Sequence, residues 1–288
     1  MGKFLNFLKR FYILIIILLI YIPLLVIVIW SFSMPSVKGN IQNGFEWNGF
    51  NNYIELFKNN EFLNAFCNTL IITFIVTPIS LVIATITCFA IWQSNKFLVN
   101  STKISSNISV INPEIITGIS LTLLLSSTWV ALGLNLGLFT IILSHISFCT
   151  PYAIIAIYPQ MSKMKKNLIN ASTDLGYNLF QTFFKVVIPY LLPSLIAAGA
   201  LVFAMSFDDF IITNLVKGRV NTISTQMYTM AKGIKMWAVT FGSLLLIIFT
   251  IFISIKSIFI FKKEKWKESK KTINLINSGL KNKTKGAL

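Results

Sequence analysis

Six long apolar stretches, separated by short polar or basic segments, set the pattern of this chain. Phe11–Trp30 runs for twenty residues without a charge, enough helix to cross the hydrocarbon core of a bilayer. Five more follow near Phe62–Trp92, Val110–Trp129, Gly137–Tyr158, Leu191–Thr213 and Ala238–Phe261. The pattern predicts an all-α polytopic membrane protein with six transmembrane helices. The second stretch exceeds one straight span, so its first residues are expected at the surface. Pro78 and Pro151 fall inside spans, where lipid-embedded helices tolerate them. Trp30, Trp92, Trp129 and Tyr158 fall near span ends, the level of an aromatic belt. Lys3, Lys9 and Arg10 precede the first stretch, which is too long for a signal peptide and has no small-residue cleavage site.

Composition agrees with this reading. Of the 288 residues 55% are hydrophobic and only 12% charged, too little polar surface to cover a water-soluble globule. The net charge of +16 does not point to nucleic acid, because the basic residues lie between and after the apolar stretches. Nineteen of them fall on the side of the two termini and six on the other. That bias predicts a plasma-membrane protein with both termini in the cytoplasm. Three regions are expected: an N-terminal transmembrane helix and first outer loop (1–61), a five-helix core (62–261), and a basic cytoplasmic tail (262–288) close to anionic lipid headgroups. Cys67, Cys88 and Cys149 are not spaced as zinc ligands or a redox pair and are expected to be buried thiols. Nothing in the pattern suggests a metal, a cofactor or a catalytic cluster. No Gly-rich phosphate loop is present, so any ATP hydrolysis must occur on a partner.

Between the fourth and fifth stretches, the segment 161–190 carries Asn170-Ala171-Ser172-Thr173-Asp174-Leu175-Gly176 and, nine residues later, Val186-Val187-Ile188-Pro189. The spacing predicts a short helix, a turn at Gly176, where φ can be positive, and a second helix, with Pro189 suited to the start of the next span. Leu175, Leu179, Phe180, Phe183 and Phe184 would form an apolar face, which could lie on lipid or dock a protein.

This segment resembles the cytoplasmic coupling loop of permease subunits in binding-protein-dependent ATP-driven importers. Their pattern is Glu-Ala-Ala, three residues, Gly, nine residues, then Ile-x-Leu-Pro. Ala171, Gly176, Val186, Ile188 and Pro189 match; Asn170 stands where Glu is usual and Ser172 where Ala is. Tyr21-Ile22-Pro23-Leu24, Trp47-Asn48-Gly49-Phe50, Asn52-Tyr53 and Asn68-Thr69-Leu70 extend the resemblance along the chain. Within the family, Pro113-Glu114-Ile115-Ile116-Thr117-Gly118, the segment His145 to Tyr152, and Ser206-Phe207-Asp208-Asp209-Phe210 are most similar to the spermidine/putrescine (polyamine) permeases. A Pro-Glu pair common in those relatives after the last outer segment is replaced here by Met236-Trp237. The resemblance implies a type-1 ABC importer permease architecture and a non-catalytic transport subunit. It also implies partners: two ATP-binding subunits, a second homologous permease subunit and an extracellular solute-binding protein. Asn170, Ala171, Ser172, Asp174, Leu175, Gly176 and Pro189 would form the ATPase-coupling loop.

A carboxylate near the bilayer centre costs about 2.5–3.5 kcal/mol on insertion scales, so Asp208, Asp209 and Glu114 need a reason. Polyamines carry several ammonium groups on an apolar chain, and a carboxylate path would replace their lost hydration. In a continuous helix Asp208 and Asp209 would point about 100° apart, one toward the path and the other toward a neighbouring helix. Asp208 would lie toward the outer side and Glu114 toward the inner, so the three acids are not expected to form one site. His145, alone in mid-span, is expected to make an inter-helix hydrogen bond. Ile223, Met227, Met230 and Ile234 have the spacing of one amphipathic outer helix. Alternatives are the same permease class with another cargo (iron, thiamine, phosphonate), or an ion-coupled secondary transporter. The latter should show repeat symmetry and interrupted helices, which the sequence pattern does not suggest.

Overall fold

A computed structural model describes residues 2–42, 44–230 and 233–285 as an all-α chain. Five of its helices are long and apolar enough to cross a membrane, and one bent helix pair, counted as a single span, makes a sixth. The chain forms two compact units, 1–56 with 233–288, and 57–232.

In the first unit α12 (Met236–Lys285) packs against both α1 (Gly2–Trp30) and the short α2 (Asn51–Leu56). The Trp47–Tyr53 segment fastens their ends. Asn52 donates to the carbonyls of Ser31 (2.8 Å) and Ser33 (2.7 Å), satisfying the end of α1. Trp47 stacks on Phe32, and the Tyr53 hydroxyl bonds both Ser31 (2.7 Å) and Ser243 (3.0 Å).

The second unit holds the buried core. Its long helices are α3 (Asn60–Gln93), α6 (Leu138–Ser162) and α9 (Ile188–Asp208). They bury Ile72, Val76, Ala84, Ile141, Ile157, Leu191, Ala198 and Val202 between them. Cys88 and Cys149 lie in this core, but Cys67 is exposed, because its position on α3 faces away from the packing. The Asn68-Thr69 pair ties the loop before α11 (Ile223–Tyr228) to α3: Asn68 donates to the Asn221 carbonyl (3.0 Å) and the Thr69 hydroxyl accepts from the Ile223 N–H (3.0 Å).

Four expectations from the sequence are corrected. The apolar run Val110–Trp129 is not one helix. Lys96–Ile111 forms α4, and Glu114–Leu125 forms α5, extended by a wide π-helical turn at Ser126–Val130; α4 and α5 meet at a 104° bend. The ring of Pro113 bars its neighbour from helical geometry, and Asn112 is extended accordingly (φ −62°, ψ 134°). The fifth crossing begins at Leu179, not Leu191. Here α8 (Leu179–Thr182), a π turn (Phe183–Val187) and α9 run on as one helical stretch to Asp208. The π turn precedes Pro189 and takes up the mismatch left by its missing N–H and its ring, so Pro189 lies within a helical run rather than opening one. That crossing then breaks at Asp209 and resumes as α10 (Ile211–Val216). The helices of this chain are therefore interrupted, contrary to the continuous spans that the sequence pattern suggests. Finally, α11 ends at Tyr228; Met230 lies beyond it and Ile234 pairs in extended form with Ile41.

Candidate functional site

The break at Asp208–Asp209 gives two adjacent carboxylates different surroundings. Asp209 leaves the helix (φ −61°, ψ 122°) and is buried. Its carboxylate accepts from the Thr213 N–H (2.7 Å) and hydroxyl (2.7 Å), and more weakly from the Ile212 N–H (3.4 Å). It thereby caps the otherwise unpaired N–H groups at the start of α10. His145 on α6 lies 3.3 Å from the same carboxylate through Nε2. His145 also joins the Ser206 hydroxyl through Nδ1 (2.9 Å) and the Thr213 hydroxyl through Nε2 (2.8 Å). This buried network ties α6, α9 and α10 together. The inter-helix role expected of His145 is what the structure places there. The sequence assigns no role to the Ser206 or Thr213 side chain, although an Asp followed by an apolar run is a helix-capping signal.

Asp208 is exposed and lines a cavity of about 500 Å³ together with Glu114, Phe148, Ala204, Met205, Asp209, Phe210 and Ile211. Glu114, at the first turn of α5, is exposed as well. Among the described residues neither Asp208 nor Glu114 carries a hydrogen bond or ion pair.

The three acids thus share one cavity, against the expectation that Glu114 stands apart near the inner face. The reason is the Asn112-Pro113 break. There the chain turns by 104° out of α4, and α5 starts beside α10. Gly118 permits that approach: a Cβ there would lie 2.8 Å from Leu215 Cδ1 and 3.4 Å from Ile212 Cα. Among the described residues no group of three or more His, Cys, Asp or Glu side chains is placed to hold a metal ion. Two open carboxylates flanked by Phe148, Phe210 and Met205 suit an organic cation with an apolar body, since aromatic faces also attract cations.

The loop 161–190 is a second feature. Within it α7 (Lys166–Asp174) ends at Gly176, whose φ of +82° lets its N–H reach the Thr173 carbonyl (2.9 Å) and the Tyr177 N–H the Ser172 carbonyl (3.1 Å). Asn178 and Gln181 then cap α8 reciprocally (2.8 and 3.0 Å). Leu175, Leu179, Phe180 and Phe184 are exposed, as are Asn170, Ala171 and Asp174. Phe183 is not part of that face: it turns inward, its ring 5.2 Å from that of Phe89 on α3. Ser172 is also buried, its hydroxyl 2.8 Å from that of Thr182. The serine that departs from the usual alanine has a partner on the facing helix.

Residues 52–261 match the family described as the binding-protein-dependent transport system inner membrane component. The chain is 42% identical to the spermidine/putrescine transport system permease protein PotC homolog of Mycoplasma genitalium, over 92% of this chain and 95% of that one. It is 44% identical to the Mycoplasma pneumoniae PotC homolog, over 81% and 84%. The PotC of Escherichia coli K12 is 26% identical over 74% and 78%. Among solved structures, a bacterial ABC transporter involved in import of the acidic polysaccharide alginate has the same fold (TM-score 0.66, 16% identity, 89% of this chain and 95% of that one). The MetNI methionine ABC transporter gives a TM-score of 0.52 at 18% identity, covering 66% and 89%. The fold and the family match define a membrane permease of an ABC importer. The chain belongs to the family of inner-membrane components of binding-protein-dependent transport systems; it is a multi-pass membrane transport subunit.

Proposed function

We propose that this chain is one permease subunit of an ATP-driven polyamine importer, and that Asp208 and Glu114 meet the ammonium groups of the cargo. The cavity carries the proposal: two unpaired carboxylates beside Phe148, Phe210 and Met205 match a polycation with methylene spacers. The names of the most similar relatives support the same cargo. Asp209 serves here as a positioning residue. Its bonds to His145 and Thr213 hold the break that turns Asp208 into the cavity.

Both termini lie in the cytoplasm in this reading, together with the 161–190 loop. The exposed residues Asn170, Ala171, Asp174, Leu175, Leu179, Phe180 and Phe184 seat an ATP-binding subunit, of which the complex has two. Ser172, Gly176 and Pro189 shape the loop from within. A homologous second permease subunit completes the path, and an extracellular solute-binding protein delivers the cargo. Closure of the ATPase pair biases the helices between inward and outward openings, a two-state equilibrium.

Radiolabelled spermidine uptake into vesicles holding the complete importer tests the cargo. Asp208→Asn with Glu114→Gln should abolish uptake while ATPase retention stays intact; undiminished uptake refutes the carboxylate path. Gly176→Trp should lose the ATPase subunit in mild detergent, and full retention would refute the coupling role.

A further inference from the structure

A second cavity, of about 350 Å³, lies between α4 and the end of α6, lined by Lys103, Ser106, Asn107, Ile154, Ile155, Tyr158, Pro159 and Ser162. It reaches Ser162, where α6 gives way to the 161–190 loop, and so lies at the headgroup level on the loop's side of the membrane. The Lys103 ammonium is held 4.4 Å from the centre of the Tyr158 ring. No carboxylate lines the cavity, and among the described residues Lys103 has no ion pair. Ser106 is 5% exposed and, among the described residues, has no hydrogen-bond partner; its hydroxyl belongs to the cavity wall.

Beside this polar pocket the outward face of α4 is apolar. Phe97, Ile104, Ile108 and Ile111, which recur at helical spacing on one side, are all exposed, as is Ile155 across the cavity. The site therefore pairs a fixed cation and neutral donors with a surface for hydrocarbon chains. A polyamine is excluded by the lysine, and a free inorganic anion would leave the apolar flank unused.

We propose that this cavity binds the phosphate headgroup of an anionic phospholipid, with Lys103 as its charge partner, Ser106 and Asn107 as donors, and the α4 face against its acyl chains. The Tyr158 ring keeps the lysine stem in place. The role is independent of the transported cargo.

Native mass spectrometry of the purified complex, incubated with equal phosphatidylglycerol and phosphatidylcholine, reads the preference directly. Lys103→Gln should cut the phosphatidylglycerol preference roughly five-fold, the worth of about one lysine at an anionic surface. Ser106→Ala, which removes only the hydroxyl, should cut it as well. Lys96→Gln removes an equal charge from the same helix outside the cavity and should change it little. Equal losses in Lys103→Gln and Lys96→Gln would mean diffuse attraction and overturn the site. So would an unchanged preference in Lys103→Gln, or displacement of the lipid by millimolar inorganic phosphate. All these variants alter side chains without removing core packing, and unchanged melting temperatures would verify that the fold survives.

Discussion

Replacing Asp209 with alanine should destabilise the protein far more than the same change at its neighbour. The Asp209 carboxylate is buried and accepts two short bonds from Thr213, one longer bond from Ile212, and the approach of His145 at 3.3 Å. Its removal leaves the buried Thr213 and Ile212 N–H groups without their acceptor and takes from His145 its only acidic neighbour among the described residues. A buried group stripped of its partner costs about 1–3 kcal/mol. The two N–H groups together put Asp209→Ala at about 2–6 kcal/mol of lost stability. Asp208 is exposed and makes no such bonds, so Asp208→Ala should stay within about 0.5 kcal/mol. Thermal unfolding of the two variants in the same detergent, followed by tryptophan fluorescence, compares them. Equal melting temperatures would refute the division of roles between the two acids, and a lower one for Asp208→Ala would reverse it. His145→Ala belongs to the same network, so Asp209→Ala and His145→Ala combined should lose less than the sum of the two.

Other changes probe the coupling loop and the close helix approach. Gly176→Val forces a β-branched residue to a φ of +82° and should cost about 1–2 kcal/mol, seen as faster proteolysis between α7 and α8. Ser172→Ala strands the Thr182 hydroxyl and should cost about 1 kcal/mol; Ser172→Ala with Thr182→Val should recover much of it in a double-mutant cycle read by melting temperature. Gly118→Val places a side chain against Leu215 and the Ile212 backbone and should cost about 1–3 kcal/mol by overpacking. It should also change spermidine uptake, since α5 carries Glu114.

Hydrophobic runs determined the membrane class and four of the crossings to within a few residues, because a span needs only length and apolarity. The loop around Gly176 was equally legible: a positive φ and capping side chains act over a few neighbouring residues. Local spacing misread Val110–Trp129 and Leu191–Thr213, since apolar composition does not register a break. The signals, Asn112-Pro113 and Asp209 before Ile211, lay inside runs that looked continuous. Those two breaks decide the site. One brings Glu114 beside α10, and the other separates a buried, bonded Asp209 from an open Asp208. Which acids share a cavity depends on where helices from distant parts of the chain pack, and on His145, Ser206 and Thr213 converging across three helices. Hydropathy along one helix carries no record of that convergence; only the packed bundle supplies it.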